Sequence, residues 1–308
     1  MCRWLAYHGP PTTLAHVLLD PEHSLIDQSR AAVHSRFQVN GDGVGVGWFD
    51  GIDPDPGLYR EARAAWHDDN LQSLARHIRS ECFLAHVRAA TTGAVERANA
   101  HPFRAGGWLF QHNGELGDWP RLRRAVESHI DPRWYAHREG STDSEALFLL
   151  ALSLGLRDDP VGALIATVDL VRAVRASIGQ TSGQTSGETS GQTSGQMSGQ
   201  ISGQALGQEA PLRVTAAATD GRALYCIRTA EDALAPSLYW GHGGTLRSRQ
   251  GTLCDVAPEA VLVVSEPLDT NGDAWQEVPP EHILKVEAGS VQMLPIDMAY
   301  GGAGRKTA

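Results

Sequence analysis

A cysteine at position 2 is the first residue whose type and place suggest chemistry. Methionine aminopeptidases remove Met1 when the next residue is small, so we expect the mature chain to begin with Cys2. That residue would then carry both a thiol and an α-amine, whose pKa is about 7.7–8.0. Because part of this amine is neutral near pH 7, it suits the role of general base for its own thiol. Taken alone, Cys2 leaves open the alternative of an incidental small residue.

A predicted strand that ends in an arginine offers a site for a carboxylate. Residues 83–93 place Arg88 at the end of an apolar run and before a loop of small residues. Guanidinium binds carboxylate with two parallel hydrogen bonds, so Arg88 suits a carboxylate clamp. A structural salt bridge is the alternative for this residue.

Asn113 and Gly114 follow an apolar strand and precede a predicted helix. The side-chain amide of Asn113 and the backbone N–H of Gly114 are donors that can point at one developing oxyanion. Asn-Gly is also a strong turn signal. Both interpretations hold together if the turn is what aims the donors.

Asp143 lies in the first turn of a predicted helix. It suits the role of anchor for a substrate ammonium, and stabilisation of the helix dipole is the alternative. The neighbouring residues Thr142 and Glu145 have the spacing of a capping box, in which each side chain bonds the backbone of the other.

The secondary structure predicted around these residues includes both strands and helices. Helices are predicted at 13–19, 71–78, 119–130, 142–156 and 161–178. Strands are predicted at 43–49, 82–88, 108–112, 212–218, 223–228, 237–240, 260–265 and 291–296. Strands before and after a central helix pair indicate a layered protein of α and β elements with largely antiparallel sheets.

Residues 179–208 form a tandem repeat of the type Thr-Ser-Gly-Gln. The segment has little apolar content and much glycine, so burial cannot offset the entropy of ordering it. We predict a flexible surface insertion within a single domain that spans residues 2–308. An expanded loop is the favoured interpretation, and a partner-binding tether is the alternative.

Composition excludes several classes of function. The net charge of −10 argues against an electrostatic nucleic-acid or membrane surface. No run of about 20 apolar residues would span a bilayer, and no signal peptide is visible, so a cytoplasmic location is expected. The 4 cysteines form no C-x-x-C pair, and the 13 histidines show no metal-ligand spacing. Structural or supporting roles are therefore expected for the histidines.

Together these segments resemble the class II glutamine amidotransferases, which are N-terminal-nucleophile hydrolases. The similarity is closest to a stand-alone branch that includes the γ-glutamyl hydrolase of the ergothioneine pathway and an amidotransferase-like subunit of the yeast glutathione-degradation complex. Several synthetase-linked members carry His where this chain has Thr92, which also favours the stand-alone branch. The segments that carry the resemblance are 1–3, 40–43, 86–89, 101–103, 112–115, 141–145, 239–241 and 263–268.

The resemblance implies an α+β fold with a four-layer αββα sandwich of largely antiparallel sheets. It also implies a reaction that needs no metal or organic cofactor. The site residues that it implies are the nucleophile Cys2, the oxyanion-hole pair Asn113 and Gly114, Arg88 for the glutamyl α-carboxylate, Asp143 for the α-amine, and Thr91 on a loop that touches the substrate.

Three functions are compatible with these features. The first is hydrolysis of a γ-glutamyl amide through a thioester on Cys2, which releases glutamate. The second is a glutaminase subunit that delivers ammonia to a separate synthetase. The third is a non-catalytic γ-glutamyl-binding scaffold. The expected ligand is a small γ-glutamyl molecule, with room for a protein partner or a homo-oligomer.

Overall fold

The chain folds into 13 strands and 7 α-helices within residues 2–34, 38–184 and 210–297, which are the residues that the computed structural model describes. The strands are β1 (Arg3–Thr13), β2 (Val44–Phe49), β3 (Gly57–Glu61), β4 (Arg79–Val87), β5 (Phe103–Ala105), β6 (Trp108–Leu116), β7 (Leu212–Thr219), β8 (Ala223–Ala230), β9 (Tyr239–His242), β10 (Val261–Val264), β11 (Trp275–Glu277), β12 (His282–Glu287) and β13 (Ser290–Pro295). The helices are α1 (Ala15–Leu18), α2 (Leu25–Arg30), α3 (Asp69–His77), α4 (Trp119–Glu127), α5 (Pro132–Tyr135), α6 (Asp143–Ser153) and α7 (Pro160–Gln184).

The strands form two stacked antiparallel sheets. The first has the order β11-β9-β10-β1-β4-β2-β3, and the second has the order β13-β12-β8-β7-β6-β5. One buried cluster, which includes Trp4, Leu84 and Leu109, lies between the sheets. A second cluster packs α1, α2 and α3 on the first sheet, and a third packs α4, α6 and α7 on the second. The predicted αββα layering is therefore confirmed.

Strand β1 is the main element that the sequence analysis missed. Trp4, Leu5, Ala6 and Tyr7 are all fully buried, because the strand pairs with β4 on one side and β10 on the other and is covered on both faces. Such a strand lacks the polar alternation that identifies a half-exposed strand. The helix predicted at 13–19 is shortened to α1, since β1 continues to Thr13.

Other strands lie close to their predicted positions, and β2, β4, β6, β7, β8, β9, β10 and β13 each overlap a predicted strand. The short edge strands β3, β5 and β11, the strand β12 and the short helices α2 and α5 were not predicted. The short elements among them carry too few residues to show a period.

Helix α6 is apolar around its whole circumference, as expected for a helix buried between a sheet and other helices. At its start, the Thr142 hydroxyl accepts a hydrogen bond from the Glu145 backbone N–H at 3.3 Å. The Glu145 carboxylate, however, accepts from the backbone N–H groups of Glu139 and Gly140 and pairs with Arg138. The predicted capping box is therefore only half formed, because the preceding loop offers the carboxylate two amides and a cation.

Helix α7 extends beyond its predicted end and includes the first residues of the repeat, up to Gln184. Residues 185–208 of the predicted insertion lie outside the described residues. Among the described helices, none combines the length and apolar character that crossing a membrane requires.

The inter-sheet cluster should dominate stability. We expect Leu84→Ala to lower the free energy of unfolding by about 2–5 kcal/mol, because Leu84 is fully buried between two sheets that cannot collapse onto the cavity. Leu234→Ala is the matched control, since Leu234 is 64% exposed, and a change within about 0.5 kcal/mol is expected. Urea denaturation followed by circular dichroism measures both values. Equal effects of the two substitutions would contradict the assignment of this core.

Candidate active site

The candidate nucleophile lies at the start of β1, beside the end of β4. Arg3 is paired with Val87 across the two strands, so Cys2 adjoins the residues that follow β4. The Cys2 Sγ atom lies 3.4 Å from the Ala89 backbone N and 3.5 Å from the Ala89 carbonyl oxygen. Pairing of the two strands thus places the thiol next to the segment that begins with Arg88.

The electrostatic setting of the thiol has two opposing parts. Burial raises the pKa of the Cys2 thiol, while the Ala89 N–H and the cations of Arg88 and Arg3 act to lower it. Burial is the larger effect, so the neutral thiol is the favoured resting form. Nucleophilic attack at neutral pH therefore requires a base that removes the thiol proton.

Arg88 is 2% exposed and donates to two carbonyl oxygens of the following loop. Its Nη2 lies 2.7 Å from the Thr92 oxygen, and its Nη1 lies 2.9 Å from the Ala94 oxygen. Burial lowers the Arg88 pKa, and the nearby Cys2 thiol and acidic side chains oppose that change. Within the described ranges, no carboxylate lies within 4.0 Å of this guanidinium, so the salt-bridge alternative has no partner.

Asp143 is 3% exposed and accepts hydrogen bonds at both carboxylate oxygens. Oδ2 accepts from the Leu116 backbone N–H at 3.0 Å. Oδ1 accepts from the Ser144 backbone N–H at 2.8 Å and from the Thr92 hydroxyl at 3.2 Å. No cation lies within 4.0 Å of it in the part of the chain that the structure describes.

Thr92 connects the two buried charges. Its carbonyl oxygen accepts from Arg88, and its hydroxyl donates to Asp143. Thr91, the loop residue that the resemblance implied, is exposed. The structure therefore brings Cys2, Arg88 and Asp143 into one connected region, in which the Thr92 hydroxyl contacts the Asp143 carboxylate.

Asn113 lies on β6, on the face that meets the first sheet. Leu109 belongs to the inter-sheet cluster, and Gln111 donates to the Leu5 carbonyl oxygen at 2.9 Å across the gap. Side chains two residues apart share a face of a strand, so Asn113 points into the same space. It is 1% exposed, and neither its amide nitrogen nor its oxygen has a hydrogen-bond partner among the described residues.

Gly114 cannot be replaced without moving the backbone. Its φ is +152°, and a Cβ atom would lie 1.9 Å from the Arg213 carbonyl oxygen on the neighbouring strand. The Asn-Gly pair lies within the continuous strand β6 rather than at a hairpin turn. The turn interpretation of this motif is therefore wrong, since β6 pairs with β7 through both residues.

Three buried histidines pack beneath this region. The rings of His86 and His101 stack with centroids 4.1 Å apart, and His86 Nε2 lies 3.2 Å from the His112 carbonyl oxygen. His112 Nδ1 lies 2.8 Å from the Ser144 hydroxyl, which ties β6 to α6. Burial lowers the pKa of His86 to about 3 and lowers the pKa values of His101 and His112 as well. In the described ranges, no group of three or more His, Cys, Asp or Glu side chains could hold a metal ion.

The sequence analysis assigned no role to several charged groups around the thiol. Asp42 accepts a hydrogen bond from the Ala90 backbone N–H at 2.8 Å and so fixes the loop after β4. Arg3 and Glu266 form an ion pair at 2.9 Å, and both are buried. Arg3 and Glu266 both fall in segments that carried the resemblance, but no local sequence pattern links positions so far apart.

The neutral histidines predict a specific response to acid. The unfolded chain binds protons at these histidines below pH 6.5, whereas folded His86 binds one only near pH 3, so stability is lost as the pH falls through this window. We expect His101→Phe to reduce the loss of unfolding free energy between pH 7.5 and pH 5 by about 2 kcal/mol, because one such proton is removed. Urea denaturation at both pH values measures this difference, and an unchanged loss would contradict it.

Comparison with known proteins agrees with this architecture. The family described as "Glutamine amidotransferases class-II" matches residues 21–186. A structure of a glutamine aminotransferase class-II domain protein from Silicibacter pomeroyi is 33% identical, with a TM-score of 0.60, and the match covers 96% of this chain and 99% of that one.

Two further relatives have names that state an activity. The probable glutamine amidotransferase DUG3 of Saccharomyces cerevisiae is 29% identical over 97% of this chain and 85% of its own length. The gamma-glutamyl-hercynylcysteine sulfoxide hydrolase of Mycolicibacterium smegmatis is 38% identical over 54% of this chain and 69% of its own length. The family match and the full-length structural match together establish membership: this chain belongs to the class II glutamine amidotransferases.

Proposed function

We propose that the mature protein hydrolyses a γ-glutamyl amide, with Cys2 as its N-terminal nucleophile. One observation carries the proposal: a buried cation, Arg88, follows the strand end that holds the Cys2 thiol and is linked through Thr92 to a buried anion, Asp143, and neither charge has an ion-pair partner in the described residues. Isolated buried charges are costly, so such groups normally have a partner. The α-carboxylate and α-ammonium of a glutamyl group match Arg88 and Asp143 in sign.

The reaction begins with the amino terminus that removal of Met1 creates. The α-amine of Cys2 takes the proton of its own thiol, and the thiolate attacks the γ-carbonyl carbon. Asn113 Nδ2 and the Gly114 N–H stabilise the oxyanion that develops. The buried amide of Asn113 has no partner in the described protein, which makes it available for this role.

The intermediate collapses when the carbon–nitrogen bond breaks. The α-ammonium of Cys2 donates its proton to the departing amine, and a γ-glutamyl thioester remains on Cys2. A water molecule then attacks the thioester while the α-amine accepts its proton. Glutamate leaves, and the thiol is restored.

The relatives narrow the range of substrates. Among proteins similar to this chain are a probable glutamine amidotransferase and a hydrolase of a γ-glutamyl conjugate. A small γ-glutamyl conjugate or glutamine is therefore the proposed substrate. Thr91, exposed on the loop after Arg88, is proposed to touch it, since the loop borders the site. A cytoplasmic location is proposed because a reduced thiol is required.

Loss of the nucleophile should abolish catalysis. We expect Cys2→Ala to reduce glutamate release from γ-glutamyl conjugates and from glutamine by at least about 10³-fold, because no other group can form the thioester. Cys254→Ala is the control, since this thiol belongs to the buried cluster between the first sheet and its helices, and it should keep activity. Intact mass should show that Met1 is absent. Full activity of Cys2→Ala, or of a form that retains Met1, would refute the proposal, and the substrate panel separates conjugate hydrolase from glutaminase.

The oxyanion role of Asn113 has a separate signature. We expect Asn113→Ala to lower kcat by about 10²–10³-fold with little change in KM, because the lost donor acts mainly on the transition state. Its stability should change little, since the side chain makes no hydrogen bond within the described protein. Steady-state kinetics and urea denaturation test both statements. An unaltered kcat would exclude the amide from the oxyanion hole.

A further inference from the structure

A buried ion pair directly follows the candidate nucleophile. Arg3 Nε lies 2.9 Å from Glu266 Oε1, and the two side chains are 0% and 1% exposed. Arg3 is on β1 and Glu266 lies just beyond the end of β10, so the pair joins neighbouring strands at the edge where Cys2 lies.

Glu266 also binds the backbone of residues 33–34, which follow α2. Its oxygens accept from the Val33 backbone N–H at 2.9 Å and from the His34 backbone N–H at 2.8 Å. His23 Nε2 lies 3.4 Å away. Arg3 Nη2 donates to the His34 carbonyl oxygen at 3.3 Å, so Arg3 and Glu266 hold the same segment from two sides.

The contribution of this ion pair to stability does not explain why charged residues occupy these two buried positions. Taking two ions out of water carries a large desolvation penalty, and well-packed apolar residues can replace such pairs with little loss of stability. The Nη1 of Arg3 is buried without a hydrogen-bond partner among the described residues, so its desolvation is incompletely offset. The position beside Cys2 suggests that the charges act on the nucleophile.

We propose that Glu266 is a positioning residue for Cys2: by holding the guanidinium of Arg3, it fixes the terminal residue of the mature chain and sets the charge around its thiol. This inference rests on the proposed role of Cys2 as nucleophile. Arg3 is joined to Cys2 by one peptide bond, whereas Glu266 reaches it only through Arg3. Loss of the Glu266 carboxylate leaves the positive charge of Arg3 unneutralised near the thiol, whereas loss of the Arg3 guanidinium removes that positive charge. The two changes therefore alter the electrostatic field at the thiol in opposite directions.

Other charged and titratable groups surround this pair and the thiol. His23 and His34 flank α2 and lie against Glu266, and Tyr239 on β9 faces the same carboxylate. Arg88 approaches the thiol from the end of β4, and Asp42, ahead of β2, lies near Arg88. The Arg88 and Arg3 cations both act to lower the pKa of the Cys2 thiol, and Glu266 holds one of them. The net field at the thiol thus depends on whether Arg3 is neutralised.

The test compares Glu266→Gln, Arg3→Met and the double variant that carries Arg3→Met with Glu266→Met. The readouts are the pH dependence of kcat/KM for a γ-glutamyl amide and of Cys2 alkylation by iodoacetamide, followed by mass spectrometry of the N-terminal peptide. We expect the acidic limb of both profiles to move down by roughly 0.5–1 pH unit in Glu266→Gln and up by a similar amount in Arg3→Met. The double variant should return the limb toward the wild-type pH while kcat stays reduced.

Two controls separate this role from a structural one. Glu287→Gln removes an exposed carboxylate of the second sheet that pairs with Lys285, and it should leave both profiles unchanged. Arg3→Lys keeps the positive charge, so it remains informative if the uncharged variants fail to fold. It should keep the wild-type limb but lower kcat, because lysine lacks the planar fork that reaches both partners.

The outcomes distinguish this inference from the function on which it rests. Changed thermal stability with unchanged pH profiles in all variants would overturn the positioning role and leave a structural ion pair. Full activity of Cys2→Ala would instead remove the proposed function itself, whatever the Glu266 variants show. Opposite movements of the acidic limb in the two single variants would support the inference.

Discussion

The antiparallel pairing of β1 with β4 is the constraint on which the site depends. Chain termini usually fray, because few contacts hold them. Here the first strand is buried on both faces and paired on both edges, so the residue that precedes Arg3 is held against the end of β4. A nucleophile at the very terminus needs this support, since a displacement of about 1 Å can cost a large part of the rate.

The second sheet contributes the remaining groups of the proposed site. The first sheet carries the thiol and Arg88, whereas β6 carries Asn113 and Gly114 and leads to the carboxylate of Asp143. The two sheets meet through apolar side chains and through direct bonds such as Trp4 Nε1 to the Thr215 carbonyl oxygen. The site therefore forms only where the two sheets are stacked, and it depends on the apolar core between them.

Several features of this region oppose stability. Arg88 and Asp143 are buried charges without ion-pair partners in the described chain, Asn113 is a buried amide without a hydrogen bond, and His101 has two ring nitrogens without one. Unsatisfied buried polar groups each cost about 1–3 kcal/mol. Proteins keep such groups mainly at functional sites, where a ligand or a developing charge completes them. In the proposed reaction, the substrate or its developing charge completes Arg88, Asp143 and Asn113.

The amino-acid sequence was enough to predict the class of fold and to nominate the residues of the proposed reaction. Cys2, Arg88, Asn113 and Asp143 were selected from residue type, local context and the family resemblance, and the long apolar segments of α6 and α7 were recognised as helices. Which groups meet became known from the three-dimensional fold alone. It showed that β1 is a central strand, that Thr92 bridges Arg88 and Asp143, and that Glu266 holds Arg3 across more than 260 positions. Local pattern reports the preference of a few neighbouring residues, whereas pairing between distant strands is fixed by the burial of the whole chain.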